Sequence, residues 1–319
     1  MSKKACYRIR NWSKYNEALV KRGSITFWFS DDAIKSWESR ERTGLRGRPQ
    51  AYTDVAIQCM LMIRSVFHLP LRGLEGFTSS LITMLNLDLS CPDYTTVCKR
   101  CKSLNIRLPK LVKPGQKLHV LVDSSGFKIY GEGEWKTRKH GISKRRTWRK
   151  LHIAVCAETQ SIVGAVLTTN DISDSQVFAP LLDGIDSPID SVYGDGAYDA
   201  VDCYDICDSH NARLIAPPRR GAKKSSSDTL YGFLAYRDQA ISMIEKLGGD
   251  ETARKEWKKR SGYHKRSLVE TQFFRLKTIF GSNLRSRMFD NQAVESFARC
   301  AALNMMTGLG MPQSYKVPI

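Results

Sequence analysis

The sequence lacks any long apolar run, and it is short of acidic residues relative to basic ones. A membrane-spanning helix needs about 18 or more consecutive apolar residues, and no stretch approaches this length. The first residues, 1–6, also lack the apolar stretch of a secretory signal peptide. We therefore expect a protein of the cytoplasm, associated with the nucleoid, that has no membrane among its partners.

The cysteines do not follow a recognisable disulfide or metal-binding pattern. The nine cysteines are odd in number and scattered, as is typical of reduced thiols in a reducing compartment. Two groups come closest to a zinc-binding spacing: Cys91, Cys98 and Cys101, and Cys203, Cys207 and His210. Structural zinc needs four closely spaced ligands, and neither group has a convincing fourth. We assign both groups to core packing.

The charge of the chain is strongly basic. There are 50 Lys and Arg residues against 32 Asp and Glu residues, which gives a formal net charge of +18. This excess indicates a polyanionic partner rather than a neutral metabolite. Nucleic acid is the simplest such partner, while an anionic membrane surface and a ribosome-like RNA scaffold are the alternatives. Hydrophobic residues make up 42% and are spread throughout, which predicts a folded core.

Residues 1–116 are predicted to form a basic, all-α domain. Thr53 is a candidate N-cap for a first helix, Pro70 opens a second, and a third begins near Asp93. The third helix carries Lys99 and Arg100. Short connections before a basic last helix favour a helix-turn-helix that binds double-stranded DNA in the major groove, and an ordinary helical bundle with a solvated charged face is the alternative.

Two further basic segments are candidate DNA contacts. Arg46-Gly-Arg48-Pro resembles the core of a minor-groove motif, although a flexible linker explains the same four residues. The run 136–150 combines dense positive charge with the indole rings of Trp148 and of Trp135 just before it, which favours a DNA-backbone grip over a mobile solvated loop. Its candidate contacts are Lys144, Arg145, Arg146, Trp148 and Arg149.

From Lys117 onward the apolar pattern changes to short strands. The predicted order is three strands, a helix, a strand, a helix and a strand, which is the order of an RNase H-like α/β fold with a mixed sheet. The first of these strands ends at Asp123, and the fourth, Ile189 to Tyr193, is followed by Asp195. We expect a catalytic domain over 117–319, with an exposed insertion at about 217–258. The last helix is expected from about Asn291, with Gly308 as its stop.

The helix around Glu270 carries two stripes. At about 100° per residue, the polar residues Tyr263, Arg266, Glu270 and Lys277 fall within roughly 60° of one another. An apolar stripe lies beside them and contains Val269, Phe273, Leu276 and Phe280. The apolar stripe can pack on a sheet while the polar stripe faces a site at the sheet's edge. Salt-bridged surface helices use the same residue types, so this helix alone is ambiguous.

Asp123, Asp195 and Glu270 are predicted to meet at one place. Strands one and four are neighbours in the RNase H-like order, and the helix of Glu270 can lie across them. Carboxylates about 4 Å apart repel by ~1 kcal/mol per pair in water and by ~4 kcal/mol at an effective dielectric of 20, so they need cations. Hard oxygen ligands favour Mg²⁺ or Mn²⁺, and two such ions can assist phosphoryl transfer.

These residues, with the spacing Y-x2-R-x3-E-x6-K from Tyr263 to Lys277, resemble the DDE transposases of bacterial insertion sequences, in detail the insertion-sequence-five family. The resemblance covers nearly the whole chain. It implies hydrolysis at the terminal inverted repeats and attack of the freed 3′-hydroxyls on target DNA. It further implies Asp123, Asp195 and Glu270 as catalytic ligands of two Mg²⁺ ions, and Tyr263, Arg266 and Lys277 as phosphate contacts. A homodimer or higher synaptic assembly is expected.

Two other functions remain open from the sequence. A transposase descendant that only binds or regulates DNA would have lost a carboxylate, and here all three remain. A metal-dependent nuclease without strand transfer would share all three and would differ by cutting without joining. For two further residues near these acids, His152 and Asp199, a supporting role in the site and a purely structural role are equally compatible with the sequence.

Overall fold

The computed structural model describes residues 6–39, 50–129, 148–225 and 232–317. The chain divides into two compact units, Met1–Pro109 with Ala301–Ile319, and Lys110–Cys300. The division after Pro109 lies seven residues before the expected boundary at 116, and the last residues belong to the first unit. They do so because β1 (Cys6–Ile9) pairs antiparallel with β8 (Ser314–Val317), from Cys6↔Val317 to Ile9↔Ser314.

The first unit is largely helical, as predicted. Its helices within the first 109 residues are α1 (Trp12–Lys21), α2 (Ile25–Trp28), α3 (Asp31–Lys35), α4 (Asp54–Val66), α5 (Leu71–Met84) and α6 (Tyr94–Arg100). The three predicted helices are α4 to α6. Thr53 caps α4 by accepting a hydrogen bond from the backbone N–H of Ala56 at 3.2 Å. Asp93 caps α6 by accepting from the N–H groups of Thr95 and Thr96, both at 2.8 Å.

No single helix among the described residues is long and apolar enough to cross a membrane. Helices α4 and α5 reach the necessary length and hydropathy only when taken together, and the chain bends by 111° between them. Most apolar side chains of α4 are core residues: Ile57, Met60 and Ile63, for example, have no exposed surface.

The second unit is built on a mixed six-stranded sheet. Its strands are β2 (Leu118–Ile129), β3 (Trp148–Cys156), β4 (Ile162–Thr169), β5 (Ile189–Tyr193), β6 (Arg213–Ile215) and β7 (Asn283–Leu284). The order is β4-β3-β2-β5-β6, with β7 beside the far end of β2. Strands β2, β3 and β4 are antiparallel neighbours, whereas β5 is parallel to β2 and β6 to β5. This is the predicted RNase H-like arrangement.

Helices cover both faces of the sheet. They are α7 (Phe178–Asp183), α8 (Val201–Ser209), α9 (Ala235–Lys246), α10 (Glu251–Arg260), α11 (Ser267–Phe280) and α12 (Phe289–Leu309), of which α12 continues into the first unit. Alternate residues of β2, such as Val120 and Val122, pack with Phe178 of α7 and Cys203 of α8 in one buried core. The other face of β2, which includes Asp123, is turned toward α11.

Strand β2 is longer than predicted, and Asp123 lies in its middle rather than at its end. β3 pairs with β2 as far as Lys128, so this side of the strand stays hydrogen-bonded well past the aspartate. On the opposite side, the parallel pairing with β5 ends at Leu121↔Tyr193. Asp123 therefore lies just past the level at which β5 ends, which is where the loop containing Asp195 begins.

The expected insertion contains a helical hairpin. Helices α9 and α10 pack against each other through Ala240, Ile244, Ala253 and Trp257. The last helix, α12, begins two residues before Asn291 and continues through Gly308 to Leu309. The expected stop at Gly308 is wrong because the backbone first takes a positive φ two residues later, at Gly310 (φ 147°), and Gly308 lies within the last turn.

Candidate active site

One guanidinium joins the three predicted carboxylates. Arg266 Nη2 donates to Asp123 Oδ2 at 2.9 Å, and Nη1 donates to Glu270 Oε1 at 2.8 Å. Nη2 also lies 3.8 Å from Asp195 Oδ2. Three acids from distant parts of the sequence thus share one cation, within the second unit.

Helix α11 brings Glu270 and Arg266 to the sheet. The four residues of its predicted apolar stripe are all buried: Val269, Phe273, Leu276 and Phe280. The polar residues lie beside them, with a single 3-10 turn, Tyr263–Arg266, leading directly into the helix. Burial of the apolar stripe against β2 and β3 leaves the side chain of Glu270 58% exposed beside the acids of the sheet.

Asp195 is positioned by the turn that follows β5. Its side chain accepts a hydrogen bond from the N–H of Ala197 at 2.9 Å and so caps the 3-10 turn Gly196–Tyr198. The buried ring of Tyr198 folds back over Gly194, where an added Cβ would lie 2.6 Å from Tyr198 Cδ2. Only glycine fits at 194, and this contact fixes the path of the chain into Asp195.

Burial dominates the electrostatics of Asp123. Desolvation raises the pKa of this carboxyl above its ordinary value, and the Arg266 guanidinium and the Ser124 N–H, which both lower the pKa, offset this only in part. The nearby Asp195 raises the pKa of Asp123 further. An additional cation placed among the three acids would therefore stabilise the charged form of Asp123.

Lys277 and Tyr263 flank the acids. Lys277 Nζ donates to Ser125 Oγ at 2.6 Å and lies 5.3 Å from the centre of the Phe127 ring, and burial lowers the pKa of its ammonium. Tyr263 packs at 6.2 Å between ring centres against Trp257. Burial raises the pKa of the Tyr263 hydroxyl, and the charges that act on it include Arg266 and Asp195. All six residues of the predicted constellation therefore lie in one neighbourhood.

The donor set suits a hard divalent cation, but the acids are held by Arg266. Among the described residues, no three Asp, Glu, His or Cys side chains are close enough together to hold a metal ion as they stand. Three carboxylates with one shared counter-ion are nevertheless the oxygen donors that Mg²⁺ and Mn²⁺ prefer. A cation at this place would compete with Arg266 for the same oxygens. The Nε of Arg266 is buried and has no hydrogen-bond partner among the described residues.

A second polar cluster lies behind Asp123, on the opposite face of β2. His152, paired across the strands with Ser124, has Nδ1 at 3.1 Å from Asp174 Oδ1, and Lys150 Nζ lies 2.9 Å from the same oxygen. Burial raises the pKa of Asp174, but the neighbouring His152, Lys150 and Ser124 outweigh it and hold this pKa well below its usual range. Sequence reasoning missed Asp174. The alternation of Lys150 and His152 on one face of β3 was one signal, and the family resemblance of the stretch 169–175, which contains Asp174, was another.

Asp199 anchors the insertion. Its carboxylate is fully buried and accepts from Arg237 Nε at 2.9 Å, from the N–H of Arg219 at 2.8 Å and from Tyr204 Oη at 3.1 Å. These partners come from the segment after β6, from α8 and from α9. The contacts favour a structural role for Asp199 over a role at the site.

Asp199→Ala should lower the free energy of unfolding by about 3–5 kcal/mol, because Arg237 would keep a largely buried charge with no counter-ion. Urea denaturation followed by circular dichroism measures this. Glu245→Ala, which removes an exposed ion pair with Lys224, is the control and should cost no more than about 1 kcal/mol. An Asp199→Ala protein as stable as the parent but inactive would reassign this residue to the chemistry.

The other predicted DNA contacts differ in their exposure and in whether they already have partners within the protein. Lys99 is exposed on α6, whereas Arg100 is largely buried, pairs with Asp54 and donates to the carbonyl of Tyr52 at 2.8 Å. Arg149 donates to Gln292 at 2.9 Å, and the Trp148 ring lies 5.7 Å from Lys128 Nζ. Arg100 and Arg149 thus have partners within their own units. The remaining candidates lie outside the described residues: Arg46, Arg48, Lys144, Arg145 and Arg146.

The solved structures with similarity to this chain include an intasome complex and a transposase strand transfer complex. The simian T-cell lymphotropic virus intasome in complex with PP2A regulatory subunit B56 gamma is 16% identical, with a TM-score of 0.23, over 62% of this chain and 66% of that one, just under two thirds. The Drosophila P element transposase strand transfer complex is 9% identical, with a TM-score of 0.28, over 93% and 86%. Both scores are too low to carry an argument.

Family models give a direct assignment. One model, described as a transposase DDE domain, matches residues 20–132, and a second model of the same description matches residues 114–305. The second match covers more than half of the chain and includes all of β2 to β7 with the three acids. The resemblance found in the sequence is confirmed, and the chain belongs to the DDE transposase family.

Proposed function

We propose that this transposase hydrolyses DNA at the ends of its element and joins the freed 3′-hydroxyls to target DNA. The observation that carries the proposal is the meeting of Asp123, Asp195 and Glu270 at one guanidinium. A family member that had kept only DNA binding would have no need for three acids brought together from such distant positions.

Asp123, Asp195 and Glu270 would hold the divalent metal, two Mg²⁺ or Mn²⁺ ions. When bound, such ions activate the attacking oxygen and stabilise the leaving one. The partial burial of Asp123 makes its carboxylate the acid with most to gain from a bound cation. Glu270 is more exposed, so its carboxylate would hold a cation at the solvent side of the site.

The cationic residues would position the DNA. Lys277 has an ammonium hydrogen-bonded to a neutral serine and, in the described part of the chain, pairs with no acid, so its charge is available to a phosphate oxygen. Arg266 carries the free Nε donor and lies among the acids, which suits it to hold a phosphate next to them. Tyr263 packs on Trp257, and the charges of Arg266 and Asp195 act on its hydroxyl.

The two steps use the same chemistry. In the first, a water oxygen attacks the phosphorus at the end of the element, the P–O3′ bond breaks and the 3′-oxygen leaves as a hydroxyl. In the second, that hydroxyl attacks a phosphorus of target DNA and displaces another 3′-oxygen. No covalent enzyme intermediate is needed, and protons pass to solvent.

The first unit would bind the terminal inverted repeats, with Lys99 on the exposed side of α6 as a contact. Two ends must be held together for joining, so we propose a homodimer or a higher assembly on DNA. With a net charge of +18, the protein would be drawn to the bacterial nucleoid.

The test is a Mg²⁺-dependent assay with a labelled duplex that carries the inverted repeat flanking the gene, and with a supercoiled plasmid as target. We expect cut ends and plasmid joined to label, and neither product when EDTA is present. Cutting without joining would make the protein a nuclease. Binding without cutting, in Mg²⁺ and in Mn²⁺, would make it a DNA-binding regulator and would overturn the proposal.

A further inference from the structure

Phe274 is an aromatic residue left in solvent on the helix of the active site. Its side chain is 69% exposed, whereas Phe273 and Phe280 on the same helix are buried. Among the described residues, no ring or cation contact involves Phe274. Alanine has the higher helix propensity at an exposed position, so the folding of α11 gives no reason for a phenylalanine here.

The position of Phe274 relates it to the site. It lies four residues after Glu270 and three before Lys277, and side chains at these spacings are neighbours on a helix surface. It is rotated about 40° from Glu270 around the helix axis and lies ~6 Å further along it. The neighbouring exposed residues on this side, Thr271 and Thr278, are small and polar. Phe274 is therefore a single large apolar group beside the acid and the lysine.

DNA offers one kind of apolar surface that such a ring could use. Every base has a π-face on which an aromatic side chain can stack. Inside a duplex both faces of each base pair are covered by neighbouring pairs, so an inserted ring must first unstack a step. At a DNA end, the outer face of the last base pair is already free. A ring beside a phosphate-binding stripe therefore distinguishes an end from the interior.

We propose that Phe274 stacks on the terminal base that the first cut leaves at the element end, beside the phosphate that Arg266 and Lys277 hold. The proposal rests on the proposed function and deepens it, because it assigns to one residue the preference for a cut end. Lys277 holds the backbone on one side of the ring, and the exposed setting leaves room for a base on the other. The stacking needs no metal and no chemical step.

The probe is a short duplex ending at the inverted repeat, with fluorescent 2-aminopurine in place of its terminal base, studied in Ca²⁺. Addition of the parent protein should change the 2-aminopurine fluorescence. Phe274→Ala should abolish this change and weaken binding to the duplex about tenfold, with affinity for a closed circular plasmid unaltered. Phe274→Trp should keep both properties, and Phe274→Leu should lose most of them. Val201→Ala, a change at another exposed apolar residue of the second unit, is the matched control.

Three results would overturn this assignment. The first is a Phe274→Ala protein that binds the duplex and alters its fluorescence like the parent. The second is an equal loss of affinity for the duplex and the plasmid, which would make the contact independent of ends. The third is a change of oligomeric state without DNA, which would make Phe274 a protein contact. If any of these three results is found and the parent protein still cuts and joins DNA, the proposed function stands and only the role of Phe274 is wrong. If the parent protein shows end stacking but neither cuts nor joins DNA, the proposed cutting and joining reactions are wrong and the role of Phe274 stands.

Discussion

Glu270→Gln, Asp123→Asn and Asp195→Asn should each slow the cutting of DNA ends by about 10³-fold or more, because losing one ligand removes several kcal/mol of transition-state stabilisation. Each substitution keeps the size of the side chain and removes only its charge. DNA affinity should change little, since the basic surface of the protein is untouched. Single-turnover cleavage and filter binding on the same DNA measure the two quantities separately.

Glu256→Gln is the matched control for these three substitutions. Glu256 is a partly exposed acid on α10 whose ion pairs with Lys259 and Arg260 lie at the surface. It should cut DNA at the parent rate. If two of the three site variants cut normally while folded, the shared role of the acids in catalysis is wrong.

Arg266→Ala should destabilise the metal-free protein by about 2–4 kcal/mol, between the values for exposed and fully buried ion pairs. Three acids would lose their common cation, and Asp123 is only 17% exposed. Added Mg²⁺ should then raise the stability of the variant more than that of the parent, because the ion no longer competes with a guanidinium for the carboxylates. Thermal unfolding over a series of Mg²⁺ concentrations gives both numbers.

The matching control is Arg260→Ala, which removes an exposed guanidinium paired with Glu256 one turn away. It should cost no more than about 1 kcal/mol, with no change in the response to Mg²⁺. An Arg266→Ala protein that matches Arg260→Ala in stability and in Mg²⁺ response would mean that the guanidinium does not stand in for a metal.

Much of the fold followed from local patterns. The starts of α4 and α6 are marked by Thr53 and Asp93, whose side chains accept hydrogen bonds from backbone N–H groups of the first helical turn. The start of α5 is marked by Pro70, which has no backbone N–H that would need a partner. The strand order of the second unit followed from the alternation of strand and helix patterns. These features depend on residues that are close together in the sequence, so they can be predicted from the sequence alone.

The parts that could not be predicted depend on distant pairing. β1 and β8 are four residues each and lie at opposite ends of the chain, so neither has a recognisable pattern without the other. The extension of β2 past Asp123 depends on β3, which supplies partners as far as Lys128. The turn residue Gly308 was a reasonable stop for α12, but the local backbone continued helical to Leu309.

In the candidate site, too, some features follow from local sequence and others depend on contacts between distant parts of the chain. Helical spacing was enough to place Glu270 and Lys277 on one side of α11, whereas Tyr263 and Arg266, predicted on the same helix, lie in the 3-10 turn that precedes it. The pairing of Arg266 with three acids could not be foreseen, because it depends on where β2 and the loop after β5 meet α11. Asp174 was missed for a related reason: its partners, His152 and Lys150, are on a strand more than twenty residues earlier.

The most direct test is an anomalous difference map from crystals of the protein soaked in Mn²⁺. We predict density bounded by the carboxylates of Asp123, Asp195 and Glu270, with the Arg266 guanidinium released from at least one of them. A fully soaked crystal with no manganese at these residues, and with Arg266 still bonded to Asp123 and Glu270, would contradict the central claim that the three acids form a metal site.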